Sequence, residues 1–266
     1  METGLLVKQF ARMGARIQLR EIVNDTRRRR TSAGIDIRSD ERGEFFDIRI
    51  ERGERVEYEV VDLRPELRHL LLLGRRGGVK EKYLCGHDER HWFVCAVPGA
   101  SVSGVATAFE ALQPFDERWV ARHLRRQKNR FRRRNEAFVR QGEWFFVPDP
   151  DIVVPEWLLL RNEPLSRGAG SKPHVCQFAY RTGGVLVWVC PRFPTGVTVE
   201  QYANIVEREP KARHWGWRQF VRDAGVYARG TVRHSDHKTV VLDGWHRVSM
   251  NTEREAPFAP RVAFLD

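Results

Sequence analysis

Four residues near the end of the chain could carry out acid–base chemistry. His234 and His237 lie in one short polar segment, Lys238 follows directly, and His246 comes shortly after. A metal-free ribonuclease needs two imidazoles and a cation. One imidazole accepts the proton of a 2′-hydroxyl, the other protonates the leaving oxygen, and the cation stabilises the charged phosphorus centre. We therefore identify His234, His237, His246 and Lys238 as candidate catalytic residues.

The same segment allows two other interpretations. Asp and Ser beside the histidines are typical of a plain surface turn, while His234, Asp236 and His237 could supply nitrogen and oxygen ligands to a metal ion. The tetrapeptide at 237–240 also resembles the His-x-Thr-hydrophobic element of two-histidine phosphoesterases, but that family has two such elements and this chain has one. The turn is the interpretation we favour, and we expect neither a resident metal nor a cofactor.

A second group of potential metal ligands lies in the N-terminal half. Cys85, His87, His91 and Cys95 stand within one short stretch. The two histidines have a spacing that zinc sites use, but the two cysteines are too far apart to form a zinc knuckle. We therefore expect a polar β-hairpin turn above a packed core at this place.

Arginine is concentrated in two segments. Residues 27–30 are four consecutive arginines next to small polar residues, which is typical of an exposed arm. Between 116 and 140, Leu124, Phe131 and Phe138 recur at heptad spacing among many cations, which predicts one long basic helix with a narrow apolar stripe. The residues that we expect to contact nucleic acid are Arg27, Arg28, Arg29, Arg30, Arg122, Arg125, Arg126, Lys128, Arg130, Arg132, Arg133 and Arg134.

The charge of the chain favours nucleic acid as its partner. There are 46 Lys and Arg against 35 Asp and Glu, a net charge of +11, and most of the cations are arginines. Guanidinium groups bind phosphates with two hydrogen bonds, and each neutralised phosphate releases counterions. The alternatives are a solvated helix face that pairs with acids of the N-terminal strands, an acidic protein partner, or an anionic membrane, for which the apolar stripe is too narrow.

Alternation of apolar and polar residues between regularly spaced turn residues describes much of the chain. From 34 to 98 this pattern predicts an antiparallel meander, after which Ser103 caps a helix that ends at 113. We divide the chain into residues 1–100, a β meander with a basic arm, residues 101–148, a helical segment with the Arg-rich helix, and residues 149–266, a C-terminal α+β unit.

In the C-terminal unit, local signals predict a hairpin and a helix. The strands expected at 174–180 and 185–190 are separated by two adjacent glycines, so we expect them to pair with each other. Thr198 and Gln201 have the spacing of a capping box, which predicts that a helix begins there.

A second hairpin is predicted around Asp243-Gly244. This dipeptide is typical of a two-residue turn, and it would join strands at 239–242 and 245–250. The pairing would place His237 and His246 on one face of the hairpin, with a substrate or a bridging group between them.

The predicted fold class is α+β, with an N-terminal antiparallel β meander, a central long basic helix and a C-terminal α+β unit with β-hairpins. The predicted function is binding of DNA or RNA, with the Arg-rich helix on the phosphate backbone and no catalysis. The alternatives are a histidine-based or metal-assisted nuclease at the C-terminal hairpins, and an adaptor for an acidic protein. No apolar run approaches the length of a membrane span and no signal sequence opens the chain, so we expect a cytoplasmic protein without a membrane partner.

Overall fold

A computed structural model of the chain describes residues 3–22, 34–53, 55–99, 101–114, 131–166 and 172–255. It divides into two compact units. Unit 1 comprises Met1–Phe131 with Asn251–Ala259, and unit 2 comprises Arg132–Met250 with Pro260–Asp266. Strands account for 53% of the structure and helical segments for 19%, so the protein is mostly β.

The predicted α+β class, with its long central helix, is wrong. The α-helices of the described residues are three short ones: α1 (Thr3–Arg12), α2 (Val105–Leu112) and α3 (Val199–Arg208). Residues 116–130 of the predicted helix lie outside the described residues, whereas 131–140 form turns and the start of a strand. None of the helices that the structure describes is long and apolar enough to cross a membrane.

Residues 131–140 leave the helical pattern because Asn135 stabilises a turn. Its side-chain oxygen accepts hydrogen bonds from the backbone N–H groups of Ala137 at 2.8 Å and Phe138 at 3.0 Å. Such local side-chain bonds compete with helix formation. Phe138 is buried and packs edge-on against Phe145 with ring centroids 5.0 Å apart. The heptad spacing of the apolar residues here therefore does not mark one stripe of a helix.

The described residues of unit 1 form two sheets. In the first, the strand order is β1–β3–β2, with β1 parallel and β2 antiparallel to β3. In the second, four antiparallel strands follow one another in chain order. The strands are β1 (Ile17–Ile22), β2 (Gly34–Asp40), β3 (Gly43–Glu51), β4 (Val56–Arg64), β5 (His69–Arg76), β6 (Val79–Asp88) and β7 (His91–Ala96). The predicted antiparallel meander is confirmed for β4–β7, and the hairpin expected at 85–95 is the β6–β7 pair; the parallel pairing of β1 was not predicted.

The run of four leucines in β5 is apolar throughout because both of its faces are covered. Successive side chains of a strand point to opposite faces of the sheet. Leu70 and Leu72 pack into a cluster with Phe10 of α1, whereas Leu71 packs into a second cluster with Ala108 of α2. The four-stranded sheet therefore separates two layers of core in unit 1.

A fully buried carboxylate ties the first sheet together. Asp47 lies on the central strand β3, and its oxygens are 2.6 Å from Nε of Arg20 on β1 and 2.8 Å from Nε of Arg38 on β2. Nε of Arg49, on β3 itself, lies 3.8 Å away. Since a buried charge without a partner is strongly destabilising, the arginines of the two flanking strands compensate Asp47 only when both strands are in place.

Replacing Asp47 by Asn should lower the free energy of unfolding by about 2–3 kcal/mol, because a hydrogen bond to a charged group contributes roughly that amount and the arginines lose their counter-charge. Asp36→Asn is the matched control, since Asp36 faces Asp47 across the β2–β3 pair but is 54% exposed. Urea unfolding followed by circular dichroism measures both variants. Equal losses would show that the buried carboxylate is not what stabilises this sheet.

Unit 2 also contains two sheets. Six antiparallel strands are arranged in the order β10–β11–β15–β16–β9–β8, and three more in the order β13–β12–β14. Their bounds are β8 (Val139–Gln141), β9 (Trp144–Pro148), β10 (Leu160–Leu165), β11 (His174–Thr182), β12 (Val185–Cys190), β13 (Phe193–Thr198), β14 (Arg218–Arg222), β15 (Gly225–Arg233) and β16 (Val240–Met250). The capping box predicted at Thr198 is confirmed, since its hydroxyl accepts a hydrogen bond from the backbone N–H of Gln201 at the start of α3.

The hairpin predicted between β11 and β12 is wrong. Both strands exist, but β11 pairs with β10 and β15, whereas β12 pairs with β13 and β14 in the other sheet. Gly183 and Gly184, with φ of 69° and 87°, connect the two sheets instead of closing a two-stranded ladder. Turn residues in the sequence indicate where the chain turns, but they do not determine which strand each neighbouring strand pairs with.

The hairpin predicted around Asp243-Gly244 is also wrong, because β16 runs through this dipeptide as one strand. Its pairing with β15 passes from Leu242 opposite Gly230 to His246 opposite Ala228, so residues 243–245 form a bulge. Leu242, before the bulge, belongs to a core cluster. Val248 and Met250, after the bulge, pack against the same cluster. Pairing with β15 along the whole length of β16 buries both groups, which a hairpin folded back on itself would not.

Candidate functional site

Three histidines meet at one end of the six-stranded sheet. His174 opens β11, and His234 and His237 lie in the loop between β15 and β16. The ring centroids of His174 and His234 are 4.1 Å apart, those of His234 and His237 4.6 Å, and those of His174 and His237 5.5 Å. One ring nitrogen from each lies within 4.8 Å of the others. We call these three residues the histidine cluster.

Strand register brings the cluster together. Val175 of β11 faces Arg233 of β15 in an antiparallel pair, so the residues next to them, His174 and His234, also lie side by side. His237 follows three residues later in the same short loop. The cluster therefore results from long-range pairing, which sequence spacing alone does not reveal.

A glutamine fixes the tautomer of His174. The amide nitrogen of Gln141 donates to the carbonyl oxygens of Val232 at 3.1 Å and Lys238 at 2.8 Å. Its amide oxygen is therefore the atom that faces Nδ1 of His174, 2.9 Å away, and His174 donates this hydrogen bond. The lone pair of His174 is consequently on Nε2, which lies 3.7 Å from a carboxylate oxygen of Glu143.

His234 is held by the backbone of its own loop. Its Nδ1 accepts a hydrogen bond from the backbone N–H of Asp236 at 3.1 Å, and its Nε2 lies 3.3 Å from the carbonyl oxygen of Lys172. The carboxylate of Asp236 forms an ion pair with Nζ of Lys172 at 2.8 Å. The loop is thus fastened to the residues that precede β11.

His237 packs against a glycine that has no room for a side chain. A Cβ atom on Gly142, in the turn between β8 and β9, would lie 2.7 Å from Nε2 of His237 and 3.3 Å from Cε1 of His174. Gly142 also has a φ of 58°, a region that L-residues rarely adopt. Nδ1 of His237 is buried and has no hydrogen-bond partner among the described residues.

Burial favours the neutral forms of His234 and His237 near pH 7. Desolvation, and then the neighbouring histidines, lower the pKa of His237 to about 4, and burial together with His174 lowers the pKa of His234. A general acid must carry a proton at the working pH. His234 and His237 therefore offer neutral imidazoles, which suit a metal ion better than two-histidine acid–base catalysis.

The structure separates the four predicted catalytic residues. His234 and His237 lie together, but His246 sits on β16 opposite Ala228 of the core cluster, is 7% exposed, and has its Nδ1 2.8 Å from the carbonyl oxygen of Gly244. The geometry therefore gives no support to His246 as a partner of the other two. Lys238 is exposed and contributes its backbone carbonyl to the site.

Sequence reasoning missed His174, Gln141 and Gly142. His174 is the first residue of a strand that the sequence did predict, so its position was visible while its neighbours were not. Identifying it would have required the β11–β15 register. The signal for Gly142 is its place between two strands, and nothing in the sequence links Gln141 to a loop so far along the chain.

Most of the basic residues predicted to contact nucleic acid lie outside the described residues, namely Arg27, Arg28, Arg29, Arg30, Arg122, Arg125, Arg126, Lys128 and Arg130. Arg132 is exposed. Arg133 is half-buried, and burial together with the nearby Arg140 lowers its pKa to about 10. Arg134 is exposed, donates to the carbonyl oxygen of Val241 and lies 3.9 Å from the carboxylate of Asp243.

A second surface of unit 2 combines arginines with aromatic rings. The guanidinium groups of Arg161 and Arg229 lie over the ring of Phe178 at 5.1 and 5.4 Å, and that of Arg229 also lies over the ring of Trp245 at 5.0 Å. Register explains the row, because Phe178 faces Arg161 on one side and Arg229 on the other. We call these four residues the arginine–aromatic face.

Comparisons with known protein families, curated proteins and solved structures find no match for this chain. The two surfaces are therefore the observations from which a function can be inferred. Both surfaces belong to unit 2 and depend on the same sheet. One is a group of buried and partly buried histidine rings, and the other is a row of exposed arginines and partly exposed aromatic rings.

Gly142→Ala should lower the free energy of unfolding by about 2–4 kcal/mol, because a left-handed backbone costs an L-residue roughly 1–2 kcal/mol and overpacking against the histidines adds roughly as much again. Gly183→Ala is the matched control, since Gly183 has a φ of 69° and a Cβ added there would meet no atom within 4 Å. The Gly183→Ala variant should lose only the roughly 1–2 kcal/mol of the left-handed backbone. Thermal or urea unfolding measures both, and equal losses would contradict the close packing of Gly142 against the cluster.

Proposed function

We propose that this protein binds nucleic acid, DNA or RNA, through the arginine–aromatic face of unit 2. The row of Arg161, Phe178, Arg229 and Trp245 across neighbouring strands is the observation that carries the proposal. Single strands are bound by grooves in which arginines contact phosphates while bases stack on aromatic rings. A β-sheet that displays aromatic side chains is one of the common platforms for such stacking.

The side chains of this face are exposed enough to meet a ligand. Arg161 and Arg229 are exposed, and Phe178 and Trp245 are each partly exposed. Stacking on the rings holds the guanidinium plane in place while its N–H groups remain able to bind a phosphate, which lysine could not do. The face therefore offers cation and stacking surface together, without requiring the long helix that the sequence predicted.

The charge of the whole chain supports the same proposal. The net charge of +11 and the arginine-rich segments at 27–30 and 122–134 would add phosphate contacts and long-range attraction. We place the protein in the cytoplasm as part of this proposal. An acidic protein could pair with the cations but would not stack on the exposed rings. We therefore favour nucleic acid.

Arg229→Gln should weaken binding of a fluorescein-labelled single-stranded oligonucleotide by about five- to tenfold and reduce the salt dependence of the affinity by about one counterion. Arg208→Gln, which removes one exposed charge from α3, is the matched control and should change the affinity less than twofold. Fluorescence anisotropy over a series of salt concentrations measures both. Equal losses of affinity in Arg229→Gln and Arg208→Gln would indicate that binding results from non-specific charge attraction alone.

Phe178→Leu tests stacking, since leucine keeps an apolar side chain and removes the ring. We expect a roughly tenfold loss for a single strand, because stacking of one base contributes about 1–3 kcal/mol, and little change for a duplex, whose bases are not available to stack. Competition by poly-glutamate as effective as that by unlabelled oligonucleotide would indicate an acidic protein partner instead. If Phe178→Leu bound single strands as tightly as the wild type, base stacking on the ring of Phe178 would be excluded.

A further inference from the structure

We propose that the histidine cluster is a binding site for a divalent transition-metal ion, Zn²⁺ being the ion that it fits best. His174, His234 and His237 would each supply one ring nitrogen, and this function is separate from nucleic-acid binding. Imidazole is a ligand of zinc and its neighbours in the first transition row, whereas magnesium and calcium prefer oxygen. From the sequence we expect a plain turn and no metal here, and His174 stands far from the other two histidines along the chain.

The distances suit a shared ion. Two nitrogens on one tetrahedral zinc ion, each about 2.0–2.1 Å from the metal, are roughly 3.4 Å apart. One ring nitrogen from each of the three histidines lies within 4.8 Å of the others. Ring rotations would close the remaining gap, and His234 would exchange the hydrogen bond that its Nδ1 accepts from Asp236 for the bond to the ion. The carboxylate of Glu143, 3.7 Å from Nε2 of His174, borders the group and puts negative charge beside the cation.

Gln141 is the feature that distinguishes this cluster from a chance meeting of three rings. Histidines that bind metal commonly donate their other N–H to a fixed acceptor, which sets the tautomer and aims the lone pair at the ion. Gln141 does this for His174, which is only 1% exposed. Its amide nitrogen donates to the carbonyl oxygens of Val232 and Lys238, one on each side of the loop that carries His234 and His237, so the same side chain links His174 to both ends of that loop.

The cluster also holds buried nitrogen that the protein leaves unsatisfied. Nδ1 of His237 is buried without a hydrogen-bond partner among the described residues, and a buried polar atom without a partner is destabilising. An ion bound at Nδ1 of His237 would give this atom a partner. Because Gly142 has no Cβ atom, the rings of His174 and His237 have room beside its backbone, and the donor nitrogens lie close together without an ion.

The test uses the full-length protein without an affinity tag, freed of metal with EDTA and then dialysed. Isothermal titration with ZnCl₂ should show one ion per chain, and CoCl₂ should produce the visible absorption bands of nitrogen-coordinated cobalt, while MgCl₂ should give neither signal. Zinc should also raise the melting temperature, since an ion that binds only the folded state stabilises it.

His234→Ala and His237→Asn should each weaken zinc binding by at least about 100-fold, since each removes a ligand. His214→Ala, which removes an exposed histidine elsewhere in unit 2, is the matched control and should bind zinc like the wild type. Gln141→Leu should weaken binding by about 10- to 100-fold while all three ligands remain, the effect expected of a positioning residue.

Circular dichroism without metal establishes whether each variant is folded, and Arg229→Gln should bind zinc normally, because that residue belongs to the other surface. No cobalt bands in the wild type, fewer than one zinc per two chains, or equal zinc affinity in His234→Ala and His214→Ala would each overturn the proposal. The wild-type cobalt spectrum decides the question even if a variant fails to fold.

Discussion

The antiparallel register of β11 with β15 is the constraint on which both surfaces of unit 2 depend. Pairing of Val175 with Arg233 puts His174 beside the loop that carries the other two histidines. Three positions further along, beyond an irregularity in the ladder, the same strand pair puts Phe178 opposite Arg229. A shift of this pair by one residue would turn the side chains of β11 to the other face of the sheet, and it would dismantle the histidine cluster and the arginine–aromatic face together.

An irregularity in the pairing of β11 with β15 determines which side chains of β11 enter the core and which stay at the surface. In a regular strand Cys176 and Phe178 would point the same way, but the ladder is interrupted between them, so Cys176 enters the core and Phe178 stays partly exposed. Gly230 allows the interruption, since its φ is 80° and a Cβ there would lie 2.4 Å from the side-chain oxygen of Gln177. The bulge in β16 next to Arg229 presents Trp245 on the same side.

The sequence predicted local structure much better than pairing. Most strands were predicted because alternation and turn residues are local signals, and the cap at Thr198 was recognised for the same reason. The partners of β11 and the continuous course of β16 depend on which apolar faces meet in three dimensions, so two clear turn signals suggested hairpins that do not form. The site shows the same limit: His234 and His237 were found from their spacing, whereas His174 became visible only through the register.

The place of β9 in the sheet also determines the order in which unit 2 can fold. Phe146 of β9 pairs with Val248 of β16, so β8 and β9 leave the ribosome long before their neighbouring strand exists. Such non-local pairing makes folding slow, and apolar strands that wait for a partner are prone to aggregate. Gln141 meets Val232 and Lys238 only after β15 and β16 have joined the sheet. The bonds that Gln141 makes to His174 and to the histidine loop therefore require β8, β11, β15 and β16 together, and an ion held by the three histidines would favour chains that have reached this arrangement.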